Sequence, residues 1–71
     1  SDFKRRKIVR KNLKEARQKA GMTQREVAEK LGMSEIGYRQ IESGKRLGTI
    51  RTWDMLEDLF NVPQRTLREM P

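Results

Sequence analysis

The stretch TQREVAEKLGMSEIGYRQIESG, Thr23 to Gly44, decides the fold. It opens on Thr23-Gln24-Arg25-Glu26, a capping box: the Thr23 hydroxyl can accept from the Glu26 amide, and the Glu26 carboxylate can accept from the Thr23 amide. Val27, Ala28 and Leu31 follow as one buried helical face, and Gly32 closes this helix. Ser34 then caps a second helix, which carries Tyr38 and Ile41 at i, i+3 on its inner side and stops at Gly44. Only Gly32-Met33-Ser34 separates the two. Two short helices joined by a short glycine-bearing turn have the spacing of a helix-turn-helix unit.

Outward from this unit the signals remain helical. On the N-terminal side, Ile8 or Val9, Leu13, Ala16 and Ala20 make one apolar stripe among good helix formers, and Gly21 ends it. On the other side, Lys45 to Gly48 is a polar connector. Thr49 then caps a helix with Ile50, Trp53, Leu56, Leu59 and Phe60 on one side. Asn61 suits a left-handed terminator, and Pro63 suits the first position of a short fifth helix that packs back through Leu67 and Met70. No segment alternates apolar and polar residues as a strand would. The expected architecture is all-α, with five helices and no repeat. Its core is drawn from Leu13, Ala16, Ala20, Met22, Val27, Ala28, Leu31, Met33, Tyr38, Ile41, Ile50, Trp53, Leu56, Leu59, Phe60, Val62 and Leu67. Trp53 lies in register with its stripe and reads as a core anchor.

Composition narrows the function. The 71 residues are 38% charged and 34% apolar, with a net charge of +7. The longest apolar run is two residues, whereas a membrane span needs about 20. No apolar stretch of a secretory signal follows the basic start. Without cysteine or histidine there are no disulfides, no thiolate or imidazole metal ligands and no histidine base. The carboxylates Glu26, Glu29, Glu42, Asp54, Glu57 and Asp58 serve as caps, pairs and solvated faces. With no nucleophile–base set in view, an enzyme, a metal site and a cofactor are not expected. The charge is uneven: residues 1–14 hold seven basic residues against Asp2 alone, and residues 15–71 hold ten against nine acids. Residues 1–11 therefore read as a basic arm that can extend the first helix, and residues 12–71 as the folded domain. Such an arm suits a polyanion.

These residues carry a family likeness. Leu13-Lys14-Glu15-Ala16-Arg17, Gly21-Met22-Thr23-Gln24, Val27 through Gly32, Ile41-Glu42-Ser43-Gly44-Lys45-Arg46 and Leu56 through Val62 together resemble the Cro/C1-type (XRE) helix-turn-helix domain of phage repressors and bacterial regulators. The resemblance covers Leu13 to Leu67 and implies a lambda-repressor-like five-helix fold. It also implies a docking mode in which helix two crosses the DNA backbone and helix three lies in the major groove.

Residue roles follow from the resemblance. Gln24 matches the family glutamine that meets a phosphate at the first turn of helix two, and Lys45 and Arg46 match basic positions near the backbone. Lys4, Arg5, Arg6, Lys7 and Arg10 of the arm join them as backbone contacts. Base reading falls to Glu35, Ile36, Gly37, Arg39 and Gln40, taken as the outward side of helix three. Gln40 suits an adenine edge; Arg39 suits guanine or a phosphate. Glu35 either accepts from cytosine N4 or stabilises the helix N-terminus. Ile36 and Gly37 depart from the family's small polar residues. Ile36 suits a thymine methyl or an apolar partner, and Gly37 suits close approach to a groove wall. Arg17 and Glu42 match a family ion pair and belong to the scaffold.

The implied function is sequence-specific binding of double-stranded DNA by a prokaryotic or phage transcriptional regulator, repressor-like, in the cytoplasm at the nucleoid. A homodimer on a palindromic site is the usual arrangement. Pro71 follows Leu67 so closely that a further domain beyond residue 71 is also expected. The alternative is an antitoxin or adaptor whose main partner is a protein, with Ile36, Leu47 and Met55 as its apolar patch.

Overall fold

The computed structural model describes residues 9–69. Among them are five helices, α1 (Lys11–Lys19), α2 (Gln24–Leu31), α3 (Glu35–Ser43), α4 (Ile50–Phe60) and α5 (Gln64–Leu67), and no strand. The described residues are thus all-α, in the five-helix order expected. None of these helices is long and apolar enough to cross a membrane.

Local chemistry sets the boundaries. Thr23 Oγ1 accepts from the Glu26 amide at 3.1 Å, and Glu26 Oε1 accepts from the Thr23 amide at 2.8 Å, which closes the capping box. Ser34 accepts from the Gly37 amide and Thr49 from the Thr52 amide, each at 3.1 Å. Gly32 sits at φ +73°, where a side chain would be strained, and so turns the backbone sharply between α2 and α3. Asn61 adopts the same left-handed region at φ 56° and ends α4. Pro63 lies one position before α5, with its carbonyl accepting from Thr66 and Leu67. The expected first helical position is thus shifted by one residue.

The α2–α3 pair packs on α1 and α4, and α5 closes the bundle against α1 and α4. Leu13, Val27, Ala28, Tyr38, Ile41, Trp53, Leu56 and Leu67 are buried at the centre. Ala16, Met22, Leu31, Met33, Leu59, Phe60 and Val62 pack around them. Two expected core residues are not there. Ala20 is exposed in the turn after α1, and Ile50 is 76% exposed because the first residue of α4 lies beyond the packed layer. Asn12 Nδ2 donates to Thr66 O and Glu69 Oε1, and Gln64 Nε2 donates to Asp54 and Glu57, so polar side chains pin the short α5 from both sides.

Candidate nucleic-acid interface

The site grows from Glu42, a carboxylate only 4% exposed on the inner side of α3. Its two oxygens take four hydrogen bonds. Oε2 accepts from Arg17 Nε at 2.9 Å and Tyr38 Oη at 2.7 Å; Oε1 accepts from Arg17 Nη2 at 3.2 Å and Gln24 Nε2 at 3.0 Å. Arg17 Nη1 donates to Met22 O at 2.9 Å, so one guanidinium ties α1, the turn before α2, and α3. The hydrogen bond to Glu42 raises the Arg17 pKa above its ordinary value. Burial, then the neighbouring carboxylate, pushes the Tyr38 hydroxyl far above the ordinary tyrosine range. Burying a charge is costly unless it is paired and hydrogen-bonded, and the Glu42 carboxylate is both. Tyr38 and Gln24 are members of this network that the sequence did not reveal.

Gln24 also faces outward. Its Oε1 accepts from Arg39 Nε at 3.1 Å while its Nε2 holds Glu42. The side chain expected on a phosphate is therefore already bridging α2 to α3. Arg39 Nη2 in turn lies 3.5 Å from Glu35 Oε2, an i,i+4 pair on the exposed side of α3. Lys14, Arg17, Gln24, Arg39 and Ser43 line a cleft of about 380 Å³ that opens between α1, α2 and α3. Lys14 is a cation of this face that was not among the expected backbone contacts.

Ile36 is 68% exposed on α3, and Gln40 is half-buried. Gly37 corrects the expected outward set. It is buried, and a Cβ there would meet Ser34 Oγ at 3.1 Å and Met33 Cε at 3.2 Å, so its bare face serves packing against the turn rather than a groove wall. Lys45 and Arg46 are exposed directly after α3.

Arg10 is a second correction. It was expected on the DNA backbone, yet it is buried beneath the end of α3. Its amide donates to Glu42 O at 2.8 Å, and its Nη1 donates to Ile41 O and, at 3.0 Å, to Arg46 O. The guanidinium lies 5.1 Å over the Trp53 ring. The physical reason is visible in α3, which has no basic residue in its last turn. Its terminal carbonyls need donors and favour a cation, and Arg10 brings both from another element. Burial, then the nearby Arg68 charge, lowers the Arg10 pKa. Lys4, Arg5, Arg6 and Lys7, the remaining arm contacts, and Met70 lie outside the described residues.

A family model described as helix-turn-helix matches residues 13–67. No curated protein matches the chain, and no solved structure does.

Proposed function

The chain belongs to the Cro/C1-type helix-turn-helix family, and from that premise we propose that it is a sequence-specific, repressor-like regulator of a prokaryotic or phage gene. The family membership supports a DNA-binding, regulator-type protein. The finer reading rests on one observation. The inner side of α3 is fixed by Tyr38, Ile41 and the saturated Glu42, which leaves Glu35, Ile36, Arg39 and the half-buried Gln40 on its accessible side, with Lys45 and Arg46 just beyond. A rigid helix with a polar and apolar mixture outside, ending in cations, suits the major groove: side chains read base edges and the cations neutralise phosphates.

In this reading Glu35, Ile36, Arg39 and Gln40 contact bases. Gln24 acts through Arg39, while Lys45, Arg46, Lys14 and the arm residues Lys4, Arg5, Arg6 and Lys7 contact the backbone. The protein works at the nucleoid as a symmetric pair on a palindrome. Selection of bound sites from a random duplex pool at stated salt tests this: an enriched palindrome is expected, and featureless enrichment overturns it.

A second reading, an antitoxin or adaptor module, is favoured by Leu47 and Ile50, 78% and 76% exposed, which line one cleft with Trp53, Arg10, Arg65 and Arg68. Met55, proposed for the same patch, instead lies half-buried by Leu31 and Leu59. A stoichiometric protein that co-purifies, and is lost on Leu47→Ser with Ile50→Ser, would favour this reading.

A further inference from the structure

We infer that Glu35 and Arg39 act as one reading unit, selecting a single G·C base pair in each half-site, with Gln24 as the positioning residue. The inference rests on the DNA-binding reading above and names what that face recognises. The argument begins with spacing. Guanine O6 and cytosine N4 are partners in one base pair, so they lie a hydrogen bond apart, about 3 Å. An acceptor and a donor that read the two atoms side by side must be separated by a similar distance. Glu35 Oε2 and Arg39 Nη2 are 3.5 Å apart.

The chemistry has the right sign as well. In the major groove guanine shows two acceptors, N7 and O6, beside the N4 donor of cytosine. The pair shows guanidinium donors beside a carboxylate acceptor. Gln24 Oε1 occupies Arg39 Nε at 3.1 Å, so the two terminal nitrogens, Nη1 and Nη2, are the ones left to meet a base. That end of the guanidinium is the fork that fits N7 and O6. An A·T pair also sets a donor beside an acceptor, but its adenine N6 donor stands between two separate acceptors, adenine N7 and thymine O4, so the fork meets only one of them on either side of the carboxylate's position. Guanine satisfies one more donor.

Orientation is fixed in advance. Gln24 is itself held by Glu42, so the chain of contacts from Arg17 through Glu42 and Gln24 to Arg39 links the outer side chain to the buried ion pair. Immobilising a guanidinium before binding removes part of the ordering cost of association. The pair also carries no net charge. A lone Glu35 would be repelled by phosphates, whereas the Glu35–Arg39 unit discriminates between bases without adding to the general attraction for DNA.

The test is site selection from a random duplex pool with the full chain and its Glu35→Gln, Arg39→Lys and Gln24→Ala variants, followed by salt titrations on the selected duplex. Wild type should enrich an invariant G·C pair. Arg39→Lys keeps the charge and loses the fork, so discrimination at that one position should fall about ten- to hundredfold with the salt slope unchanged. Glu35→Gln should relax the same position, and Gln24→Ala should weaken that preference without changing any other. If wild type selects a site and all three variants keep its preferences, the pair is not the reading unit, although the DNA-binding reading stands. A fourth variant, Arg39→Gln, is titrated beside them: if it lowers affinity equally for all sequences and reduces the salt slope by about one, Arg39 grips a phosphate and the inference is overturned. If wild type selects nothing, the underlying reading fails.

Discussion

The hydroxyl of Tyr38 donates to Glu42 Oε2 across 2.7 Å, one turn along the same helix and wholly inside the protein. Tyr38 is the only tyrosine, so its ionisation can be followed without interference. Its folded pKa lies above the unfolded value of about 10. A group raised in this way contributes fully below the unfolded pKa, and that contribution is lost as the pH rises beyond it. Stability should therefore decline above about pH 10. The phenolate absorbance of the folded protein should appear only together with loss of helical circular dichroism. A phenolate band that develops while the helices persist would contradict the buried bond. Tyr38→Phe should cost about 1.5–3 kcal/mol at neutral pH, because the Glu42 charge loses a donor.

Removing one partner of the central ion pair leaves a buried charge unpaired. Glu42→Ala should destabilise by about 3–5 kcal/mol in urea denaturation, a large fraction of the stability of a small domain. Replacing both partners, Arg17→Met with Glu42→Leu, should cost well under the sum of the single changes, because neither charge is then stranded. Additive losses would show that the two side chains do not act as a pair.

Arg10 makes a different prediction, because its acceptors are backbone carbonyls. Arg10→Ala should lower stability by about 1–3 kcal/mol, by removing donors from the α3 terminus and the cation from Trp53. The emission of Trp53, the only tryptophan, should shift to the red as its ring face opens to water. Unchanged emission and melting temperature would mean the guanidinium does not occupy that place.

Gly37→Ala tests the corrected role of Gly37. In an ordinary helix interior the change stabilises by about 1 kcal/mol. Here the new methyl would crowd Ser34 Oγ, which is held in place by the Gly37 amide, as well as the movable end of Met33. Less than half of the usual gain should be measured by thermal denaturation. Ser34→Ala should cost less in the Gly37→Ala background than in wild type, since that cap is already loosened.

The arm and the domain separate by deletion. Removing residues 1–8 takes away Lys4, Arg5, Arg6 and Lys7 and retains Arg10. Affinity should fall alike for all DNA sequences, with a salt slope smaller by up to about four. Deleting residues 1–11 should also lower the melting temperature, because Arg10 is lost.

What could be read in the sequence was local. Thr23, Ser34, Thr49 and Asn61 act within four residues of their partners, so their types alone announce the helix ends. The helical stripes placed Leu13, Val27, Tyr38, Ile41, Trp53 and Leu56 in the core for the same reason. Periodicity cannot say where a stripe runs past its neighbours, and so it misplaced Ile50 and Ala20. Arg10 was unreadable because its acceptors lie 31 and 36 residues away, and a run of basic residues looks the same whether or not one of them turns inward. Likewise Gln24 and Arg39 look like free surface groups until folding brings them together across the turn.

The seat of Arg10 has a mechanical corollary. The described chain enters the domain beneath the trailing end of α3, so a pull on what precedes Val9 reaches that helix through two hydrogen bonds, from the Arg10 amide to Glu42 O and from Arg10 Nη1 to Ile41 O. Cargo spliced ahead of Val9 is thus hitched to α3 itself, the helix proposed to enter the groove.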